Sequence, residues 1–308
     1  MVGTSSLPRL VVIAGPTATG KSELALRLAE ETSGEVINGD ALQLYRGMDI
    51  GTAKLTVAER RGVPHHLLDV LEVTETATVA AYQVQARAEI EALLARGRTP
   101  VLVGGTGLYL QSVVDELEFP ATDPDVRRRL EEEMAAVGEA VMHRRLTVLD
   151  PSAADRIEPR DGRRMVRALE VIELTGRPFS ATMPTRGAFR YDAIWFCLDR
   201  DTAELDERIQ RRVDHMVGQG LLDEVRALAG KGLRAGVTAS RALGYQQMLA
   251  VLDGVATQEE AVRDTVAGTR RYVRRQRSWF RRDQRQIWLA ADDPELLASV
   301  LRRSRAAD

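Results

Sequence analysis

The sequence predicts an α/β protein: a P-loop NTPase-like parallel sheet flanked by helices, with an all-helical domain inserted into it. Three observations carry this. Short apolar or β-branched runs alternate with amphipathic helical stretches in the first and last thirds of the 308-residue chain. The first run, residues 10–14, leads straight into Gly15-Pro16-Thr17-Ala18-Thr19-Gly20-Lys21-Ser22, the full spacing of a phosphate-cradling loop. Between Asp115 and Arg190 the alternation stops, and only short, charged helical patterns are found. The expected division is residues 1–115 and 191–308 for the two parts of the core and 116–190 for the insert.

Composition sets the outer limits. A chain of this length can bury a large core. Its formal net charge of −2 gives no global sign of nucleic-acid binding, so any such site must be local. The single cysteine, Cys197, lies in the apolar run 194–198 and reads as a small core residue, as in proteins of reducing compartments. No apolar stretch approaches the roughly 20 residues that span a bilayer. The N-terminus lacks the basic and apolar regions of a secretory leader. The chain is therefore expected to be cytoplasmic and monomeric, with no membrane partner.

The elements follow in order. In a P-loop the N–H groups of the turn and the start of the next helix face an anion, and residues 23–30 are patterned as that helix. Lys21 would reach the outer phosphates and the Ser22 hydroxyl would ligate magnesium. The loop alone leaves open whether those phosphates belong to a nucleotide. Residues 35–40 form a short strand that delivers Asp40 at its carboxyl end, the edge where open parallel sheets bind ligands. In isolation Asp40 reads as a cap or turn aspartate. Residues 41–54 are a polar, glycine-containing loop. His65 and His66 are adjacent, so they point apart, and no Cys or His lies nearby at ligand spacing; a structural role is expected. Residues 78–96 are helical, with Gly97 placed to end the helix.

A buried strand at 100–103 then enters Gly104-Gly105-Thr106-Gly107, a second glycine turn. By itself it reads either as a structural turn or as a second phosphate contact through Thr106. The strand ends in glycines where a P-loop hydrolase would carry a magnesium-binding Asp, which weakens an ATPase or GTPase reading.

In the insert, Asp123-Pro124 and Asp150-Pro151 open helices, and 161–175 is a longer helix stopped by Gly176. The sheet resumes at 191–198, followed by helices at 202–217, 221–230 and 240–252. The last long helix starts with the capping box Thr257 to Glu260 and runs to Arg282. From 263 to 285 there are nine arginines against two aspartates, a local +7, interleaved with Tyr272, Trp279 and Phe280. Arginine forks onto phosphates and stacks on bases, so this helix points to nucleic-acid contact. Residues 283–289 supply a final strand.

Taken together, these pieces resemble the tRNA dimethylallyltransferases, also called tRNA isopentenyltransferases. The resemblance covers nearly the whole chain. It rests on residues 15–22, on Asp40-Ala41-Leu42-Gln43 leading into 45–54, on Pro64-His65-His66-Leu67 and on residues 104–109. Further along it rests on Arg167-Ala168-Leu169-Glu170-Val171, on Arg208-Ile209 with Arg212-Val213-Asp214, and on Gly244-Tyr245-Gln246. Two positions depart from the family pattern: Ala41 stands where serine is common, and arginine replaces a lysine around Arg274 and Arg275.

The resemblance implies transfer of a dimethylallyl group from dimethylallyl diphosphate to N6 of adenosine 37 in the tRNA anticodon loop. It implies that the 15–22 loop, Arg208 and a magnesium ion at Ser22 hold the diphosphate, with Thr106 and Arg212 approaching from the other side and Asp40 as general base. It also implies tRNA contacts at Asp40, Ala41, Leu42, Gln43, Arg128, Arg160, Arg163, Arg164, Arg241, Gly244, Tyr245, Gln246, Arg274 and Arg275. Prenyl transfer to free adenine nucleotides, a P-loop small-molecule kinase and a non-enzymatic RNA-binding switch are the alternatives that the sequence leaves.

Overall fold

Leu10–Ala14 is apolar at every position and all five residues are fully buried, which a strand achieves only when both faces of its sheet are covered. The computed structural model describes residues 9–182 and 187–305. The first eight residues, on which the reading of the N-terminus partly rests, lie outside that range. The chain divides into two compact units, one of Met1–Val114 with Phe189–Asp308 and one of Asp115–Ala188.

The first unit begins with β1 (Leu10–Ala14), α1 (Lys21–Thr32), β2 (Glu35–Asn38), β3 (His65–His66), α2 (Val79–Ala95), β4 (Pro100–Gly104) and α3 (Gly107–Val114). The second unit holds α4 (Pro124–Val137), α5 (Glu139–Leu149), α6 (Pro151–Ala154) and α7 (Gly162–Thr175). The first unit then resumes with β5 (Ala193–Asp199), α8 (Thr202–Gly218), α9 (Leu221–Gly230), α10 (Tyr245–Leu252), α11 (Gln258–Phe280), β6 (Ile287–Ala290) and α12 (Leu296–Arg305).

All six strands are parallel, in the order β3-β2-β4-β1-β5-β6. The period of two decides which layer each side chain joins. Leu10, Val12 and Ala14 pack with Tyr82, Ile90 and Leu110 of α2 and α3. Val11 and Ile13 pack on the opposite face with Leu24, Ala25 and Leu28 of α1 and Val300 of α12. Each Leu, Ile or Val buried in this way contributes about 1.5–3 kcal/mol. A separate apolar cluster joins Tyr45 and Met48 to Leu221, Val225, Tyr245 and Met248 of the carboxyl-terminal helices.

His66 lies on the edge strand, with its ring nitrogens 2.7 Å from Glu35 and 3.0 Å from Glu89, and no group of three metal-ligating side chains is found among the described residues. Cys197 is fully buried, and burial pushes its thiol pKa up. No described helix is long and apolar enough to cross a membrane.

The second unit has its own core of Leu130, Met142, Leu146, Ile157, Met165 and Leu169. At its centre the fully buried Glu170 carboxylate accepts from the backbone N–H of Asp123 at 3.0 Å, from Arg127 at 2.6 Å and from Arg167 at 2.8 Å. Three donors offset the desolvation of that charge, which gives the Arg167-to-Val171 motif a packing role.

Two sequence expectations need correction, and one helix has no counterpart among them. The helix expected at 240–252 starts at Tyr245, because Gly244 sits at φ +89° and a short 3-10 turn, Ala239–Arg241, precedes it. The last strand is Ile287–Ala290, since Asp283 holds Arg285 in a turn that delays it. The closing helix α12 went unnoticed; its arginine-rich surface hides a narrow apolar stripe of Leu297, Val300 and Leu301.

Candidate active site

β2, β4 and β1 are immediate neighbours, so the turns leaving their carboxyl ends meet. They bring Asp40, Thr106 and the 15–22 loop to one cleft of about 380 Å³, with Thr17, Arg212, Arg241 and Arg275 among its polar lining and Ile209, Val213, Met216 and Leu243 on its apolar side. A recess of about 70 Å³ adjoins it, lined by Lys21, Ser22, Gln43 and Gly105 and sharing Thr17, Asp40, Thr52 and Arg212 with the cleft.

The loop is held by its own side chains. Thr19 donates its hydroxyl to the Pro16 carbonyl at 2.9 Å, and Lys21 Nζ donates to the same oxygen at 2.6 Å. Gly20, at φ +97°, precedes α1 without a side-chain cap, so the first amides of the helix are left for an anion. Arg208 donates to the Ala18 carbonyl at 2.8 Å. That bond makes it a support of the loop; it lines neither the cleft nor the recess.

Opposite the loop, Arg212 donates to the Thr52 carbonyl at 3.2 Å. Burial, reinforced by the nearby Arg212 charge, lowers the Lys21 pKa to about 8 against the opposing pull of Asp40. Burial likewise lowers the Arg212 pKa against the pull of Asp40. Two desolvated cations with one carboxylate between them form a site short of negative charge.

Asp40 Oδ1 accepts from the Leu42 N–H at 2.9 Å, a turn bond, while its other oxygen has no hydrogen-bond partner among the described residues. The aspartate is therefore a turn residue that also lines the cleft. The Thr106 hydroxyl lies 3.5 Å from the Ala41 N–H, and Tyr272 lines the cleft with it, its phenol pKa pushed up to about 12 by burial, reinforced by Asp40.

The sequence model of the IPP transferase family matches residues 43–283. The chain belongs to this family. A tRNA dimethylallyltransferase of Saccharopolyspora erythraea is 64% identical over 295 residues, covering 96% of this chain and 95% of the relative. One from Mycolicibacterium gilvum is 61% identical over 298 residues, covering 96% and 95%. The structure resembles a tRNA isopentenylpyrophosphate transferase of Bacillus halodurans, with TM-score 0.70, 40% identity and 96% and 94% of the two chains covered. It also resembles a eukaryotic dimethylallyltransferase acting on tRNA, with TM-score 0.80, 27% identity and 96% and 77% covered.

In this member of the IPP transferase family, the 45–54 block proves to be a frame for the site. Lys54, its side chain only 3% exposed, reaches the Tyr45 carbonyl at 2.8 Å, Asp49 at 2.7 Å and Asp69 at 2.6 Å. The Glu224 carboxylate accepts from the N–H groups of Asp49, Ile50 and Gly51 at 3.1, 2.7 and 3.3 Å and from the Tyr245 hydroxyl at 2.6 Å. Together they fix the turn whose Thr52 carbonyl holds Arg212. Sequence reasoning missed Glu224 because its partners lie 173 to 175 residues away, and no local pattern marks such a pair.

The residues expected to meet tRNA are placed in different settings. Asp40, Ala41, Leu42, Arg241, Gly244 and Arg275 line the cleft, Gln43 lines the recess, and Arg274 and Gln246 are exposed outside both. Tyr245 is a correction: it is fully buried and bonded to Glu224, so it packs the core and does not face a ligand. Arg128, Arg160, Arg163 and Arg164 belong to the second unit, where all four are exposed and Arg128 pairs with Asp125 at 2.9 Å.

The charge of the arginine segment is also smaller in effect than its count. Arg270, Arg277 and Arg285 pair with Asp206, Asp199 and Asp283, whereas Arg263, Arg271, Arg274 and Arg275 are exposed and without a carboxylate partner among the described residues.

Proposed function

We propose that the chain transfers a dimethylallyl group from dimethylallyl diphosphate to N6 of adenosine 37 in tRNA anticodon loops. The enzyme is a transferase that acts on tRNA. One observation supports the division of labour best: Lys21 and Arg212 line the recess at the P-loop, and Asp40 lines both that recess and the adjoining cleft.

In the reaction the N6 lone pair forms a bond to the allylic carbon while the carbon–oxygen bond to diphosphate breaks. The departing electrons go to the diphosphate, where the amides opening α1, Lys21, Arg212 and the Thr106 hydroxyl take up the developing charge. The N6 proton goes to Asp40. An exocyclic amine is a weak nucleophile, so holding it against the allylic carbon supplies much of the acceleration. The apolar wall of Ile209, Val213, Met216 and Leu243 keeps water from competing for that carbon.

Magnesium suits the hard oxygen donors present. Ser22 would hold it through its hydroxyl, and diphosphate oxygens and water would complete a shell for which the described residues offer no carboxylate cluster. Bound there, the ion neutralises leaving-group charge. The adenine must leave the loop stack to enter the cleft. Arg241 and Arg275 at its wall, with Arg274 beside them and the insert arginines Arg128, Arg160, Arg163 and Arg164, are the proposed backbone contacts. Ala41 offers only its N–H to Thr106, so no side-chain hydroxyl acts at that position.

The test is incubation with magnesium, labelled dimethylallyl diphosphate and unmodified tRNA, followed by mapping of the labelled nucleoside. Label at N6 of adenosine 37 is expected. Label transfer to free adenine nucleotides but not to tRNA, or transfer of phosphate from ATP, would overturn the reading.

A further inference from the structure

We propose that Gln276 is a positioning residue that sets the spacing between the two loops facing the diphosphate. The inference rests on the reading that the 15–22 loop and the Thr106 loop hold that group. Gln276 lies on α11 and is 5% exposed. Its Oε1 accepts from the Thr17 N–H at 3.0 Å and its Nε2 donates to the Gly105 carbonyl at 2.9 Å. One side chain therefore ties the crest of the P-loop to the turn that carries Thr106.

The chemistry demanded at this position is narrow. The side chain must accept from one backbone amide and donate to one carbonyl at the same time, which an amide does and an ionised carboxylate or an alkyl group does not. The approach is also close. A Cβ on Gly105 would lie 2.5 Å from Nε2, so the second turn needs glycine there for the strut to reach it. One helical turn earlier, Tyr272 lines the cleft together with Thr106. Gln276 lines neither the cleft nor the recess, and the Thr17 N–H that it occupies is withdrawn from the anion. Its effect on the reaction must pass through the loops. The two arginines directly before it, Arg274 and Arg275, are exposed.

The test compares wild type with Gln276→Leu and Gln276→Glu by three readouts: calorimetric affinity for pyrophosphate with magnesium, steady-state kinetics for the donor, and affinity for tRNA. Leu keeps the volume and removes both bonds. It should weaken pyrophosphate binding and kcat/KM for the donor by about 10- to 100-fold, mainly through KM, and leave tRNA affinity within about twofold.

Glu keeps the acceptor for Thr17 and loses the donor to Gly105. It should bind pyrophosphate weakly at pH 7.5 and recover part of the deficit, relative to wild type at each pH, as the carboxyl is protonated and donates again.

Unchanged pyrophosphate affinity in Gln276→Leu would overturn the inference. So would equal losses of pyrophosphate and tRNA affinity, which mark a merely structural role. If Gln276→Leu does not fold, a deficit in Gln276→Glu that stays flat with pH overturns it. Failure of the wild type to bind pyrophosphate would remove the donor-site reading, and the inference with it.

Discussion

Raising the pH from 7 to 9.5 should weaken binding of a diphosphate ligand, and the break should report Lys21. Burial and the Arg212 charge lower this lysine from its ordinary 10.5 to about 8 in the free protein. At pH 7 about nine in ten copies carry the charge, and at pH 9 about one in ten. A diphosphate in the recess returns the lysine toward its ordinary pKa, so affinity should fall roughly tenfold between pH 7 and pH 9, with a ceiling of about 300-fold set by the 2.5-unit gap.

The assay is calorimetric titration with a non-reactive diphosphate analogue across that range. Lys21→Met serves as the reference for the ligand's own ionisation. Equal pH slopes in the two proteins, or a break near the ordinary lysine value, would refute the reasoning.

The same shift has a stability consequence of fixed sign. The unfolded chain keeps the Lys21 proton up to about 10.5 and the folded chain only to about 8, so between these values unfolding takes up a proton and stability rises with pH. Below pH 8 the buried charge costs on the order of 3 kcal/mol. Ligand-free Lys21→Met should accordingly melt above wild type at pH 7, although it loses diphosphate affinity.

Three further outcomes are expected. Asp40→Asn should keep tRNA binding and lose turnover by about 10²- to 10⁴-fold; full activity by product mapping would remove Asp40 as the base. Glu224→Ala strips the acceptor from three N–H groups and the Tyr245 hydroxyl, so a loss of about 3 kcal/mol is expected, measured as a fall in Tm of roughly 6–12 °C. An unchanged Tm would mean that water replaces the carboxylate there. Neutralising Arg274 and Arg275 together should weaken tRNA binding and lower the slope of log affinity against log salt by about 1.5; an unaltered slope would exclude this face from the RNA contact.

Much of the chemistry is legible in the chain itself, because it is locally encoded. A buried strand, a glycine turn and a helix start are consecutive in residues 10–22, so the phosphate loop needs no tertiary information. Asp40 and Thr106 can likewise be placed at strand ends, since each follows its strand within two residues. The helix starts at Asp123, Asp150 and Thr257 were readable for the same reason, each side chain accepting from backbone N–H groups two or three residues ahead.

What the tertiary structure decided is everything that depends on partners far apart in sequence. The strand order makes β2, β4 and β1 neighbours and so brings Asp40 and Thr106 to one cleft and Lys21 to the recess adjoining it. Helix periodicity could not say that Tyr245 points inward to Glu224, or which α11 arginines are engaged by Asp199 and Asp206. Gln276, embedded in a run of arginines, has nothing in its neighbours to separate it from them. Its role arises only when α11 crosses two loops that the sheet has already set side by side, where a buried amide must satisfy an N–H on one and a carbonyl on the other.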